Sequence, residues 1–234
     1  MEWTADALLI GSRRHGESSL IVEALVVGRG RCLGIVRGGR SPKLAATLQA
    51  GNIVHLTWRA RLEDHLGVFS VEPLRNRAAE LIADRKRLYL AQTVCELLHL
   101  LPEREPQDGL LGMALELIDN APDGIALARF ELALLDELGF GLDLESCAAT
   151  GVTTDLTHVS PKSGRAVSRA AAEPYKDRLL PLPSFLNARG NASPDDIRAA
   201  LRLTGYFLDM HFWSARRLDP PATRDPLIEM LAQD

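Results

Sequence analysis

Ser19-Leu20-Ile21-Val22-Glu23-Ala24-Leu25-Val26-Val27, then Gly28-Arg29-Gly30, then Arg31-Cys32-Leu33-Gly34-Ile35-Val36 decides the fold of this chain. Two β-branched, apolar runs flank a glycine pair that tolerates the positive φ of a hairpin turn, so the stretch reads as two antiparallel strands. Working outward, Trp3 to Ile10 is a strand before the polar turn Gly11-Ser12-Arg13-Arg14-His15-Gly16-Glu17. Downstream, Gly38-Gly39-Arg40-Ser41-Pro42-Lys43 is a loop by composition, and Leu44 to Gln49 can make a turn or two of helix. Asn52 to Trp58 alternates as a fourth strand and Gly67 to Val71 is a fifth. Five short strands with a brief helix between the third and fourth match a small Greek-key barrel of the OB type, with an SH3-like barrel as the alternative.

Near residue 78 the period changes. Leu81, Leu88, Val94, Leu98 and Leu101 recur at helical spacing, predicting one long amphipathic helix ended by Pro102. Asp108 is positioned to cap a second helix, Ala126 to Leu138 forms a third stopped by Gly139, and Ser193-Pro194-Asp195-Asp196 starts another toward Trp213. Segment 141–190 has several Gly and Pro and no clear period. The fold class expected is α+β: a barrel over 1–78, then a helical domain over 79–234.

The chain has 234 residues, of which 46% are hydrophobic and 25% charged. These are ordinary values for a globular protein and exclude a disordered or disulfide-stapled chain. No apolar run reaches the ~20 residues that span a bilayer. The start, Met1-Glu2-Trp3, carries no secretory pattern, and Cys32, Cys95 and Cys147 are odd in number and far apart, so a cytoplasmic, reducing location is expected. The formal net charge of −4 argues against a nucleic-acid partner until it is divided along the chain. Residues 1–79 carry +4, residues 80–159 carry −10, residues 160–217 carry +5 and the remainder −3. Such asymmetry points to separate electrostatic surfaces, or only to solvating charge.

The sequence holds no phosphate-binding loop, no H-E-x-x-H, no G-x-S-x-G and no kinase signature. The six histidines are scattered, and carboxylate pairs such as Asp136/Glu137 and Asp195/Asp196 fall on helix surfaces or starts. No active site is nominated, so no enzyme is expected. What remains is basic loops on a barrel: Arg13 and Arg14 in the first turn, Arg37, Arg40 and Lys43 around Gly38-Gly39, and Arg59 and Arg61 after the fourth strand. Glycine lets backbone approach a phosphate and Arg supplies forked donors. With only Trp3, Trp58 and Phe69 as barrel aromatics, phosphate contact should outweigh base stacking. Lys162, Arg165, Arg169, Lys176 and Arg178 extend the basic surface in support. An RNA-binding or translation-associated OB adaptor, or a scaffold without nucleic-acid affinity, are the alternatives.

Gly16-Glu17, Gly30-Arg31, Val36-Arg37-Gly38-Gly39-Arg40-Ser41-Pro42-Lys43 and Leu48-Gln49-Ala50-Gly51 together resemble the N-terminal barrel of the bacterial RecO family of DNA repair proteins. Arg129 to Gly141, then Leu144-Glu145-Ser146-Cys147-Ala148, and finally Leu186-Asn187-Ala188-Arg189 and Leu218 resemble its helical part, so the similarity covers about residues 1–220. The resemblance implies binding of single- and double-stranded DNA and annealing of complementary strands. It also implies work with RecR to load RecA onto DNA coated by single-strand-binding protein (SSB), at the nucleoid and without turnover. It further implies capture of the acidic, Phe-ended SSB tail by the helical domain. A cation beside an apolar pocket would serve that tail, and Arg85, Lys86, Arg87 and Arg129 are the candidates. Many relatives carry a four-cysteine zinc ribbon after the helical core. Here Cys147 is followed by Thr150, and Ser168 stands where a later cysteine is expected; His158 would bring the ligands to two at best. A degenerate, zinc-free ribbon-like loop, and no metal or other cofactor, is therefore expected.

Overall fold

A computed structural model describes residues 1–62, 65–187 and 191–233. Ala188 and Arg189 of the family-like motif lie outside the described residues. The first strands are β1 (Glu2–His15), β2 (Ser19–Val26) and β3 (Gly30–Val36), followed by α1 (Pro42–Ala45), β4 (Ile53–Arg59) and β5 (Val68–Arg75). They close a barrel in the order β1-β2-β3-β5-β4, consistent with an OB-type barrel. Alternate residues fill its interior, among them Val22, Ala24 and Val26 of β2 and Val54, Leu56 and Trp58 of β4. A register line runs around it from Arg13 to Ile21, Ile35, Val68 and Arg59, and returns to β1 at Glu2 instead of Arg13. That stagger is the shear a closed barrel of tilted strands requires.

Two details of β1 differ from the sequence-based expectation. The strand runs on to His15, so Arg13 and Arg14 sit in a strand and not in a turn. A bulge between Leu9 and Gly11 allows this, re-aiming the strand without ending its pairing with β2. Ala7, Leu8 and Leu9, upstream of the bulge, and Ile10 within it are all buried. The inner residues face the barrel core, and the strand is covered from outside by a helix that packs on it.

That helix is α3 (Arg85–Leu98), preceded by α2 (Ala78–Ala83) and followed by α4 (Asp108–Asp119). The single long helix read from the 78–101 periodicity is thus two. Asp84 leaves helical backbone and its carboxylate accepts the N–H groups of Lys86 and Arg87, a cap placed inside an unbroken apolar rhythm. The second helix ends at Leu98, before Pro102. Asp108 is the first residue of α4 and not its cap; its carboxylate accepts the Gly28 N–H at 2.8 Å. Arg77 is wholly buried and donates to both oxygens of Asp119, at 2.7 and 2.8 Å, and to the Gly51 carbonyl at 2.8 Å. The change of period at 78 therefore marks the end of the barrel strands, while the compact unit runs from Met1 to Ala121.

The second unit spans Pro122–Asp234. Its elements are α5 (Gly124–Glu137), β6 (Leu156–Val159), β7 (Ala166–Ser168), α6 (Arg169–Ala172), β8 (Leu180–Pro181), α7 (Pro194–Leu208), α8 (Ser214–Arg216) and α9 (Arg224–Leu231). A π-turn over Asp209–Trp213 joins α7 to α8. Helix α7 opens with a full capping box between Ser193 and Asp196. Helices α5 and α7 pack together, and Phe130 of α5 and Phe207 of α7 are both buried. The aperiodic 141–190 segment holds a small antiparallel sheet in the order β7-β6-β8. Strands of two to four residues are too short to display an alternating pattern.

Candidate nucleic-acid interface

The pairing that builds the barrel also gathers its basic side chains. Arg14 lies opposite Leu20 and Leu20 opposite Val36, so the β1–β2 hairpin and the loop leaving β3 share one end of the barrel. The Arg40 N–H donates to the Ser18 carbonyl at 3.1 Å, and its guanidinium donates to the Glu17 carbonyl. The Ser41 N–H closes the loop on the Gly38 carbonyl at 2.9 Å, with Gly38 at φ +63°. Arg13, Arg14, Arg37, Arg40 and Lys43 are all exposed around this junction. Glycine is needed at Gly38 for its left-handed backbone, and nothing stands within reach of where a side chain would be, so the loop surface is open.

Arg59 lies further along the same outer register line as Arg13, across Ile21, Ile35 and Val68. Four strand spacings of about 4.8 Å put the two backbones about 19 Å apart along the curved surface. Arg59 donates to Glu2 at 2.8 Å; this hydrogen bond holds the Glu2 carboxyl below its ordinary value. Both groups are exposed, so water screens the pair and a phosphate can compete for Arg59. Arg61 is exposed beyond the end of β4.

In the second unit, Lys162 is exposed in the β6–β7 turn and Lys176 and Arg178 on a 3₁₀ turn after α6. Arg165 and Arg169 are engaged, with Asp143 at 3.0 Å and Asp155 at 3.1 Å. Of the four cations suggested for a protein tail, Arg85, Lys86 and Arg87 open α3 in the first unit, whereas Arg129 belongs to α5 of the second. Arg85 donates to the Tyr89 hydroxyl at 3.1 Å, and Arg129 to the Phe185 carbonyl at 3.2 Å.

Near the small sheet, the two positions at which zinc-ligating cysteines are expected from the resemblance, Thr150 and Ser168, hold hydroxyls. The Ser168 N–H donates to the Cys147 sulfur at 3.3 Å. Burial works to raise the Cys147 thiol, but hydrogen bonds from the Ser168 and Thr150 side chains and from backbone N–H groups outweigh it and bring it down to about 6. One thiolate with Thr and Ser hydroxyls does not fit a tetrahedral structural zinc ion. His158, on β6, turns its Nδ1 to the Thr157 hydroxyl at 2.9 Å. Among the described residues no group of three or more His, Cys, Asp or Glu side chains is placed to hold a metal, and no helix is long and apolar enough to cross a membrane.

A further feature was not legible as a site in the sequence. Trp3, Trp58 and Phe69 come together at one end of the barrel, with Arg29 over Trp3 at 4.6 Å. Their separation along the chain hides this, although the adjacency of Trp3 and Trp58 follows once β1 is paired with β4.

Comparison with known proteins agrees with this arrangement. The family model described as Recombination protein O N terminal matches residues 1–77, and that described as Recombination protein O C terminal matches residues 82–217. The DNA repair protein RecO of Methylobacterium nodulans is 48% identical over 244 aligned positions, covering 100% of this chain and 99% of the relative. The RecO proteins of Rhizobium etli (49% identical; 98% of this chain, 92% of the relative) and of Chelativorans sp. (50%; 96% and 93%) are similar over nearly their whole lengths. With both halves matched in order and relatives alike from end to end, the chain belongs to the RecO family of DNA repair and recombination proteins.

Proposed function

We propose that this protein is a recombination mediator that binds single- and double-stranded DNA and anneals complementary strands. With RecR it would help load RecA onto single strands coated by SSB, acting in the cytoplasm at the nucleoid, without catalytic turnover and without zinc. The observation that carries the reading is the junction of the β1–β2 hairpin and the β3 loop. There Arg13, Arg14, Arg37, Arg40 and Lys43 stand exposed on backbone held by Arg40. Annealing requires two polyanions side by side, and cations that displace condensed counterions lower that repulsion. The basic residues of the second unit, Lys162, Lys176 and Arg178 above all, would add phosphate contacts. The helices of the acidic stretch 80–159 would stay away from DNA and meet protein partners, with Arg129 as the cation for the SSB tail.

The test is a strand-annealing assay on complementary oligonucleotides with and without SSB, run beside binding of single-stranded DNA and RNA of equal length. Annealing that persists on SSB-coated strands is expected. Preference for RNA without annealing would replace this reading with that of an RNA-binding adaptor.

A further inference from the structure

The mouth of the barrel formed by the start of β1, the end of β4 and the β2–β3 turn is built differently from the basic junction at the other end. Trp3 stacks on Trp58 at 5.7 Å with the rings 16° from parallel, and Phe69 meets Trp3 edge-on at 6.1 Å. Trp58 is buried and fixed: its Nε1 donates to the Leu66 carbonyl at 3.1 Å, and Gly67 comes so close that a side-chain carbon there would lie 2.1 Å from that nitrogen. Trp3 is only partly buried. Beside it opens a cleft of about 140 Å³ whose walls include Trp3, Trp58, Cys32, Arg29, Arg104 and Pro106. A cavity of about 150 Å³ is enough to hold a benzene-sized ring.

The chemistry is that of a planar ring with an anion attached. A rigid indole backed by a second indole offers a flat face that costs little entropy to stack upon. The Arg29 guanidinium already occupies the electron-rich face of Trp3, and an arriving ring can slide beside or beneath it while the cation moves to a phosphate. Arg104, exposed on the same wall, is steered by its Nη2 hydrogen bond to the His65 carbonyl at 3.0 Å. Its segment is fixed by the Arg104 N–H on the Arg31 carbonyl at 2.8 Å. A base inside a duplex has both faces covered and cannot present one here.

We propose that this barrel mouth receives one unpaired base of a single-stranded nucleic acid, stacked on Trp3, with Arg29 and Arg104 on the flanking phosphates. The inference rests on the DNA-binding reading and adds to it a point where base and not backbone is felt.

The test titrates the full-length protein with an oligothymidylate and with an equally long chain of abasic residues at one salt concentration. The unaltered protein should bind the base-bearing strand about fivefold or more tightly, the lower end of what a stacked base contributes. Trp3→Leu should remove that difference, read as the ratio of the two affinities. A second readout needs no variant. Trp58 and Trp213 are buried, so the Trp3 share of the fluorescence should be quenched by the base-bearing strand and not by the abasic one. Equal binding of the two strands by the unaltered protein, or an unchanged difference in Trp3→Leu, would overturn the inference while leaving DNA binding intact. Failure to bind either strand would overturn the DNA-binding reading and this inference with it.

Discussion

Glu131 on α5 and Arg224 on α9 form a two-point ion pair, Nε to Oε1 and Nη2 to Oε2, both at 2.8 Å. Glu131 is 0% and Arg224 5% exposed. Two further hydrogen bonds join the pair to its surroundings. Arg224 Nη2 donates to the Leu201 carbonyl at 2.6 Å, and the Thr204 hydroxyl donates to Glu131. Gly205 lies so close that a side-chain carbon there would sit 2.8 Å from the guanidinium. The pair thus ties α9 to the α5–α7 core by geometry that few other side chains satisfy.

Removing one partner leaves the other charged, buried and unpaired, which costs about 3–5 kcal/mol. Glu131→Leu and Arg224→Leu should each lower unfolding free energy by that order in denaturant titrations. A double Glu131→Leu, Arg224→Leu replacement should cost less than either single change. Additive losses in the double variant would refute the coupling.

The Cys147 thiol gives a stability dependence on pH with a fixed sign. Its folded pKa, about 6, lies below the ordinary value of 9.0. The folded state thus releases the proton first, and stability is gained as pH rises from about 6 toward 9 and lost as pH falls through that window. Between pH 7 and 9, above the usual range of histidine, unfolding free energy should climb in the unaltered protein relative to Cys147→Ala, while burial of Cys32 and Cys95, which raises both thiols, acts in the opposite direction in both proteins. A difference between the two that does not change with pH would mean the thiol stays protonated.

Much of the barrel was legible because strand alternation and the Gly28–Gly30 turn are local signals. The helical reading of 78–101 held in type but not in continuity, because Asp84 interrupts the backbone without disturbing the spacing of Leu81 and Leu88. The place of Arg13 depended on a bulge at Leu9/Gly11, which no periodic pattern announces. The contacts that bind elements into units were invisible for a different reason. Arg77 and Asp119, or Glu131 and Arg224, are far apart in sequence, and each residue alone reads as surface charge. The candidate phosphate-binding residues were found from glycine and arginine composition in loops. The aromatic mouth was missed because three rings in 69 residues look sparse until the register of β1 and β4 stacks two of them.

Gly30 and Gly38 make a paired comparison in which backbone and packing separate. Both are left-handed, at φ +70° and +63°. A side-chain carbon on Gly30 would lie 1.7 Å from the Glu105 carbonyl oxygen, while at Gly38 it would meet nothing. Gly38→Ala should cost only the left-handed backbone term, about 1–2 kcal/mol. Gly30→Ala should cost about 1–3 kcal/mol beyond that, because segment 103–105 must move away from β3. Thermal unfolding of the two variants side by side checks the difference, and equal losses would refute the close approach.

Salt dependence tests the basic junction without reference to any partner protein. Each phosphate contact on a single strand contributes about 0.7 to the slope of log affinity against log salt. Arg37, Arg40 and Lys43 are exposed, and none forms a side-chain ion pair among the described residues. Replacing all three with Gln should therefore flatten the slope by about 2 and weaken binding at low salt, with a loss of thermal stability confined to the exposed hydrogen bond from Arg40 to the Glu17 carbonyl. Arg59→Gln alone should flatten it by less, since phosphate must first displace Glu2, and adding Glu2→Gln to the unaltered protein should strengthen binding by freeing Arg59. An unchanged slope in the triple variant would move the DNA-binding surface away from the β1–β2 hairpin and the β3 loop.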